Sequence, residues 1–210
     1  LGAGGMGEVW RAEHRMLARP AAIKLVKRSA LASGDPESTR RAMVRFEREA
    51  QATAVLKSPH TVELYDFGTT ADGSLYYVME LLDGLDLFSM ISQHGPIPPA
   101  RAVHLIRQAC DSLAEAHAAG LIHRDLKPAN LIVCKHGLTY DFVKLLDFGL
   151  AKSVREVKTP GTRPETQLTV QGFVVGTPEY IAPKAARGER DIDSRADIYS
   201  IGCVLYYLLS

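Results

Sequence analysis

The stretch HRDLKPAN at 123–130 carries several side chains able to do chemistry within one short segment. Asp125 offers a carboxylate, Lys127 a cation and Asn130 a neutral oxygen ligand. Apolar residues flank the stretch on both sides, which predicts a loop anchored in a core rather than a simple connection. Asp147 follows another apolar run, seventeen residues after Asn130. Two strand-like runs that each deliver an oxygen ligand predict a divalent-metal site, because Mg²⁺ prefers hard oxygen ligands.

The motifs HRDLKPAN and DFG, in this order, resemble the signature of the protein kinase family. The resemblance implies that Asp125 orients the substrate hydroxyl and accepts its proton. It implies that Lys127 contacts the γ-phosphate, in the form typical of Ser/Thr kinases. Asn130 and Asp147 would hold Mg²⁺, or Mn²⁺ in its place. DFG alone would favour a simple turn, and HRD alone the end of a helix. The two motifs together, in this order, favour the kinase interpretation.

Length and composition fit one domain, or one domain of two lobes. The chain has 210 residues, of which 46% are apolar and 23% charged, with a net charge of +1. This near-neutral balance argues against nucleic acid as a partner. The three cysteines are scattered without metal-ligand spacing, which predicts reduced thiols and a cytoplasmic domain. The chain has no run of 18 apolar residues, so a membrane tether is expected only outside it.

The first residues contain the pattern G-x-G-x-x-G, formed by Gly2, Gly4 and Gly7. In a dinucleotide-binding fold a helix would follow this pattern. In residues 8–12 polar and apolar side chains alternate, which predicts a strand rather than a helix after the glycines. A strand here favours a glycine flap whose backbone N–H groups approach phosphates. The kinase resemblance places Val9 over the adenine of ATP.

Lys24 stands alone in an apolar strand predicted at 20–26. A single lysine in a strand extends to solvent just as readily. The pattern A-I-K after a glycine flap resembles the kinase strand whose lysine binds the α- and β-phosphates. By that resemblance Ala22 lines the adenine pocket.

A helix is predicted at 36–56, and its acidic residues Glu47 and Glu49 are candidate partners of Lys24. Helix acids are more commonly solvated and paired with basic neighbours one turn away. The pattern R-E-A resembles the family and selects Glu49, whose pairing with Lys24 would position the lysine on the phosphates.

Strands predicted at 62–67 and 75–81 lead into M-E-L-L, which resembles the kinase hinge. By position the resemblance assigns the adenosine pocket to Met79, Glu80, Leu82, Asp86 and Ile132. Asp86 is the ribose contact of this set, although a helix N-cap is an equal alternative.

The catalytic stretch needs a rigid base and a hairpin to hold it. Apolar residues recur at helical spacing over 99–119 and stop at Gly120, which predicts a long helix under the 123–130 loop. A hairpin is predicted from strands at 131–133 and 143–145 around a turn at 135–141.

In the polar segment 150–175 apolar residues recur with neither helical nor strand spacing. A loop of this length inside a domain favours a functional role. By resemblance it is an activation loop. Arg124 would then await a phosphate on Thr169 or, as second choice, Thr166. The alternative is that both threonines are simply solvated.

G-T-P-E-Y-I-A-P at 176–183 resembles the family's substrate-docking stretch, in which Thr177 would bond near Asp125 and Lys127. The family continues with Glu, whereas this chain has Lys184. By resemblance that Glu pairs with an arginine of C-terminal helices expected after residue 210, and reversing one charge of such a buried pair would cost about 3–5 kcal/mol.

The segment from Asp193 resembles the start of the kinase's central helix, in which Asp197 would orient the HRD backbone. Residues 201–209 are apolar nearly all round, which predicts a buried helix. Covering helices are expected after residue 210, so the chain alone is predicted to aggregate.

These observations predict an α+β, two-lobed kinase-like fold. Residues 1–81 would form a β-rich N-lobe, and residues 82–210 a mostly helical but partial C-lobe. The predicted function is ATP-dependent phosphorylation of Ser/Thr in protein substrates, in signalling and with autophosphorylation in trans. Alternatives are a scaffold without turnover, a fragment inactive through truncation and Lys184, and a small-molecule phosphotransferase.

Overall fold

The computed structural model describes residues 1–4, 7–26, 36–148, 178–189 and 191–210. Its backbone contacts divide the chain into two units. The described residues of Leu1–Leu56 and Val62–Leu82 form the first unit. The second unit consists of Lys57–Thr61, Asp83–Phe148 and the described residues of Lys158–Ser210. The sites predicted at Thr166, Thr169 and Thr177 lie outside the described residues.

The first unit is an antiparallel sheet with one long helix. Its elements are β1 (Gly2–Gly4), β2 (Gly7–His14), β3 (Arg19–Val26), α1 (Pro36–Ala54), β4 (Leu64–Thr69) and β5 (Leu75–Glu80). The strand order is β1-β2-β3-β5-β4, and all neighbours are antiparallel. The predicted helix is confirmed, and it ends two residues before the expected position.

One face of α1 packs the helix against β4 and β5. Phe46 and Ala50 are fully buried one turn apart on this face, and Thr53 is buried next to them. The ring centroid of Phe46 lies 6.3 Å from that of Tyr77 and 6.5 Å from that of Phe67. Aromatic pairs at these separations stabilise the contact beyond the burial of their area.

The last glycine of the flap is required by its surroundings. Gly7 has φ +153°, and a Cβ at this position would lie 1.8 Å from the carbonyl oxygen of Leu25. Any side chain here would therefore push β2 away from β3. Gly2, in contrast, has open space around its Cα.

The second unit combines a small sheet with helices. Its elements are β6 (Gly84–Asp86), α2 (Leu87–His94), α3 (Pro99–Ala118), β7 (Leu131–His136), β8 (Thr139–Leu145), α4 (Pro183–Ala186) and α5 (Arg195–Leu209). The sheet order is β6-β7-β8. Short 3₁₀ turns lie at Pro128–Asn130 and Pro178–Tyr180. The predicted long helix is confirmed as α3, which ends before Gly120 with φ +76°.

No helix in the described part of the chain has both the length and the hydropathy needed to span a membrane.

The hairpin turn is much shorter than predicted. The strands continue until His136 pairs with Thr139, so the turn is reduced to Gly137 and Leu138. Gly137 has φ +58°, which a two-residue hairpin turn requires and glycine adopts without strain. Leu138 and Tyr140 protrude with 91% and 71% of their surface exposed. The polar composition of 135–141 was therefore wrongly taken for a long loop.

Helix α5 is buried on one side only. Ile201, Val204 and Leu208 are buried, whereas Ile198 and Tyr206 are 56% and 74% exposed. The described residues of α5 therefore leave an apolar patch exposed, as the sequence predicts for this chain by itself. A groove of about 630 Å³ runs along the exposed side, lined mainly by Tyr180, Tyr199, Cys203, Tyr206 and Tyr207. Aggregation of the isolated chain stays a prediction.

Lys184 lies exposed on α4, not in a buried pair. The predicted loss of about 3–5 kcal/mol concerns a buried pair with an arginine of helices expected after residue 210, so it stays a prediction. The charge of Lys184 helps to lower the pKa of Asp193 to about 2, although the hydrogen bond from Arg195 is the main cause of that shift.

Arg101 and Asp141 join α3 to β8 by a bidentate ion pair. The Arg101 Nε and Nη2 atoms lie 2.9 and 2.7 Å from the two Asp141 carboxylate oxygens. The hydrogen bond from Arg101 lowers the pKa of Asp141 below its ordinary value of 3.8. Asp141 has φ +53°, a conformation that this pairing helps to hold.

Replacing Arg101 with Met is expected to lower the free energy of unfolding by about 1 kcal/mol at pH 7, since the pair is partly solvated. A lowered carboxyl pKa stabilises the fold above the unfolded pKa, and this contribution is lost as the pH falls through the folded value. The difference between wild type and Arg101→Met should therefore shrink below pH 3.8. Urea unfolding at several pH values measures it. Arg107→Met, exposed on the same helix, is the control and should show no such trend.

Candidate active site

A buried carboxylate organises the backbone of the HRD loop. Asp197 is 1% exposed and accepts hydrogen bonds from the backbone N–H groups of His123 and Arg124, at 2.8 and 2.9 Å. The third donor is Nε2 of His117, at 2.8 Å. The prediction that Asp197 orients this loop is confirmed. Bonds to an ionised acceptor are stronger than neutral ones, so this residue fixes the loop firmly.

The loop turns sharply at Arg124, which has φ +64°. A non-glycine residue in this region carries strain of about 1–3 kcal/mol and persists only where its surroundings hold it. The bond from its N–H group to Asp197 supplies that restraint. The Arg124 side chain is exposed, on the same loop as Asp125.

His123 connects the loop to the end of β8. Its Nε2 atom donates to the carbonyl of Leu146 at 2.7 Å, and its Nδ1 atom accepts from the N–H group of Asp125 at 3.3 Å. These partners require the neutral tautomer with the proton on Nε2. The ring is fully buried and packs against Phe148, with centroids 5.0 Å apart. Burial lowers the pKa of His123 below 6.5, despite the opposing charge of Asp197.

Because His123 is buried in its neutral form, we expect the free energy of unfolding to depend on pH. Unfolded histidine binds a proton near its ordinary pKa of 6.5, whereas folded His123 resists protonation. The free energy of unfolding should therefore decrease as the pH falls below 6.5. A His123→Gln variant keeps one donor and one acceptor but does not titrate. Chemical unfolding between pH 7.5 and 5 should show a shallower decrease for this variant, and equal slopes would contradict the assignment.

Three predicted catalytic side chains meet at the end of the loop. Nζ of Lys127 lies 3.1 Å from Oδ2 of Asp125, and both side chains are partly solvent-accessible. Nδ2 of Asn130 donates to the carbonyl of Asp125 at 2.8 Å and approaches its Oδ2 atom at 3.5 Å. Since the nitrogen faces Asp125, the amide oxygen faces the other way and is the atom able to bind a cation.

One backbone hydrogen bond links the segments that carry the two predicted metal ligands, Asn130 and Asp147. The N–H group of Leu146 donates to the carbonyl of Asn130 at 2.9 Å, and Asp147 follows directly. Asp147 has φ +56°, and the next side chain, Phe148, is 1% exposed. The backbone of Asn130 thus lies beside Leu146, directly before Asp147, so that an amide and a carboxylate, oxygen donors of the kind that Mg²⁺ prefers, belong to neighbouring segments. Among the described residues no group of three or more His, Cys, Asp or Glu side chains forms a metal cluster.

Two residues assigned to the adenosine pocket lie on the small sheet. Asp86 caps α2, because its carboxylate accepts from the N–H and hydroxyl groups of Ser89 at 2.9 and 2.6 Å. The N-cap alternative is therefore confirmed for Asp86. Ile132 is half-buried on β7, paired with Asp86 on one side and Lys144 on the other.

Lys24 and Glu49 lie in the first unit. Lys24 is half-buried in the middle of β3, between Val9 and Tyr77 on the neighbouring strands. Its Nζ atom lies 5.7 Å from the Tyr77 ring centroid. Glu49 is half-buried on the α1 face that carries Phe46, whereas Glu47 is exposed. Since Phe46 packs on the same Tyr77 ring, burial favours Glu49 as the acid directed towards Lys24.

The remaining nucleotide-site residues of the first unit lie on adjacent strands. Ala22 pairs with Met79, and the two side chains are 4% and 6% exposed. The backbone N–H group of Glu80 donates to the carbonyl of Glu63 at 3.0 Å. Leu82 follows β5 and is half-buried. Small and apolar side chains at these positions suit an adenine ring.

Sequence reasoning missed three residues that support this site. His117 binds Asp197, and Gln108 and His60 bind the backbone of β8. None belongs to a motif that the sequence singled out. One signal was present: Gln108 interrupts the apolar stripe of α3, and a polar residue at a buried position needs partners.

The chain is similar to known proteins over its whole length. The family model for the protein kinase domain matches residues 1–210. Serine/threonine-protein kinase pkn3 of Myxococcus xanthus is 40% identical, with 100% of this chain and 36% of that protein covered. Serine/threonine-protein kinase PknB of Mycolicibacterium smegmatis is 41% identical, with 100% and 31% covered. The chain thus spans about a third of the length of these curated relatives.

Solved structures with the same fold include the PknI kinase domain of Mycobacterium tuberculosis. It aligns with a TM-score of 0.73 at 27% identity, covering 100% of this chain and 71% of that one. Rad53 in complex with AMP-PNP aligns with a TM-score of 0.74 at 27% identity, covering 100% and 46%. Both alignments confirm the predicted two-lobed kinase fold. The catalytic loop, the fold and the full-length match agree, and the chain belongs to the protein kinase domain family.

Proposed function

We propose that the protein transfers the γ-phosphoryl group of ATP to Ser and Thr hydroxyls of protein substrates, and that it acts in signalling. The observation that carries this proposal is the contact set around Asp125. Its carboxylate is accessible, bound to Lys127 at 3.1 Å, and its backbone is held by His123 and Asn130. A fixed carboxylate beside a cation is what a base and a phosphate-binding group require.

In this mechanism Asp125 orients the incoming hydroxyl and accepts its proton. A base positioned in this way accelerates a reaction by about 10²–10⁴-fold. Lys127 balances the charge of the phosphoryl group in transfer, so that the protein contributes positioning and electrostatics rather than a covalent intermediate. Asn130 and Asp147 would hold Mg²⁺, which when bound neutralises the phosphate charge.

The first unit supplies the groups for the rest of the nucleotide. We assign Lys24 to the α- and β-phosphates and Glu49 to Lys24. The flap of Gly2, Gly4 and Gly7 would cover the phosphates with its backbone N–H groups. The adenosine would contact the following residues: Val9, Ala22, Met79, Glu80, Leu82, Asp86 and Ile132. The lobe assignment, 1–81 and 82–210, is part of the same proposal.

Regulation and location follow from the same assignment. Arg124 would bind a phosphate on Thr169 or Thr166, added by a second copy of the protein, and Thr177 would contact the substrate side of the catalytic loop. A location in the cytoplasm fits a reaction that consumes ATP and the three free thiols of the described residues.

Labelled ATP tests the function directly. With Mg²⁺ and a generic protein substrate, the full-length protein should transfer the label to the substrate as acid-stable phosphoserine and phosphothreonine. Lys24→Met should remove this transfer, whereas the matched variant Lys135→Met, on an exposed strand position, should keep it. Absence of transfer from wild type, with nucleotide still bound, would instead favour the scaffold alternative.

A further inference from the structure

Apart from a single parallel bridge between Leu145 and Thr61, the outer edge of strand β8 has no partner strand in the described sheet. The first edge of β8 pairs with β7 in register from Leu131–Leu145 to His136–Thr139. On the other edge four backbone groups point outward: the carbonyls of Asp141 and Val143 and the N–H groups of Val143 and Leu145. Buried backbone groups need partners, so something other than a strand must satisfy them.

The side-chain amide of Gln108 satisfies two of these groups. Its Nε2 atom donates to the carbonyl of Asp141 at 2.8 Å, and its Oε1 atom accepts from the N–H group of Val143 at 3.0 Å. Gln108 is 6% exposed. A primary amide offers the same donor and acceptor pair as a peptide group, so this side chain acts as one residue of a fourth strand.

His60 satisfies the other two groups. Its Nδ1 atom donates to the carbonyl of Val143 at 2.9 Å, and its backbone carbonyl accepts from the N–H group of Leu145 at 2.7 Å. Its ring also packs on Phe142, with centroids 4.5 Å apart. All four outward groups between Asp141 and Leu145 are therefore paired.

The paired segment continues into the catalytic site. Leu146 donates its N–H group to the carbonyl of Asn130 and accepts Nε2 of His123 on its own carbonyl, at 2.9 and 2.7 Å. Asp147 comes next, with the left-handed φ of +56°. The position of its carboxylate therefore depends on how firmly the preceding six residues are held.

We propose that Gln108 is a positioning residue for the metal ligand Asp147, which it controls by completing the outer edge of β8. This inference rests on the proposed function, since it assumes that Asp147 binds Mg²⁺. The hydrogen bonds of Gln108 go to Asp141, Val143 and His104, none of which is assigned to the nucleotide. Gln108 acts through Val143 and Asp141, as outer partners orient ligands in other metal sites.

The test separates metal binding from nucleotide binding in the full-length protein. Gln108→Met keeps the length and an unbranched side chain but removes the hydrogen bonds to Asp141 and Val143, together with those to His104. Mn²⁺ binding in the presence of ADP, followed by electron paramagnetic resonance, should weaken about 10-fold. Binding of ADP in EDTA should stay unchanged, because Asp147 contributes only through the metal. Hydrogen exchange at the Val143 amide should become faster.

Gln108→Asn and Ile106→Val complete the design. Gln108→Asn keeps the amide but shortens the side chain by one methylene, so the hydrogen bonds to Asp141 and Val143 weaken without a buried charge. It supports the inference by a smaller loss of Mn²⁺ affinity and serves if the first variant does not fold. Ile106→Val, a buried change on the same helix, should leave Mn²⁺ affinity unchanged.

Two results would overturn the inference while the proposed function stands. One is faster exchange at Val143 with unchanged Mn²⁺ affinity. The other is an equal loss of Mn²⁺ and metal-free ADP binding, as general destabilisation produces. If wild type binds no Mn²⁺ with ADP, the proposed function fails and the inference fails with it.

Discussion

Replacing Asp147 with Asn is expected to lower kcat for phosphoryl transfer by about 100- to 1,000-fold, or about 3–4 kcal/mol of transition-state stabilisation. The amide has the same shape but no negative charge to balance a divalent cation. Asn also tolerates the left-handed φ of +56° better than Ala does, so the fold should be retained. Rates measured at increasing Mg²⁺ should show a higher half-saturating concentration as well as a lower maximum.

Asp111→Asn is the matched control for this change. Asp111 is exposed on α3, away from every residue assigned to the reaction, and should keep wild-type rates. Circular dichroism and thermal unfolding of both variants check that folding is equal. Full activity of Asp147→Asn at low Mg²⁺ would refute its role as a metal ligand.

Replacing Asp197 with Ala should produce the largest loss of stability, about 3–5 kcal/mol of unfolding free energy. The change removes an acceptor that serves three donors, two of them backbone N–H groups at His123 and Arg124. Those groups stay buried without an equivalent partner, and Arg124 loses the bond that holds its φ of +64°. Urea unfolding gives the free energy, and catalysis should fall as well because Asp125 follows directly.

Asp193→Ala is the control for Asp197→Ala, because Asp193 lies just before α5 and Asp197 lies in the first turn of that helix. The ion pair of Asp193 with Arg195 is fully exposed and contributes little, although the pKa of Asp193 is lowered to about 2. A large loss for Asp193→Ala, or a small one for Asp197→Ala, would reverse the assignment of which carboxylate holds the loop.

Local chemistry made much of the site predictable. Asp125, Lys127 and Asn130 lie within six positions, so their proximity follows from chain length alone. Asp197 was also predictable, but only through the family resemblance, since it lies 74 residues from His123. Gln108 and His60 were not predictable, because their roles depend on which strand edge stays unpaired after folding.

The details that the sequence left open depend on burial and on strand pairing. Helix α5 has an apolar sequence on every side, yet sequence alone cannot tell which side meets α3. The hairpin turn was overestimated because Lys135, His136 and Tyr140 are polar or amphipathic residues that suit an exposed strand as well as a loop. The effect of Lys184 on stability stays a prediction, because it depends on a partner that the family places after residue 210.

The short hairpin tip offers a practical site for a reporter. Leu138 is almost entirely exposed, and the chain runs about 30 Å from it to Asp147 along an extended strand. Because Gln108 and His60 hold residues 141–145 independently of the tip, a fluorophore or short peptide grafted between Gly137 and Leu138 should leave turnover intact. Such a label would follow partner encounters from a point remote from the chemistry.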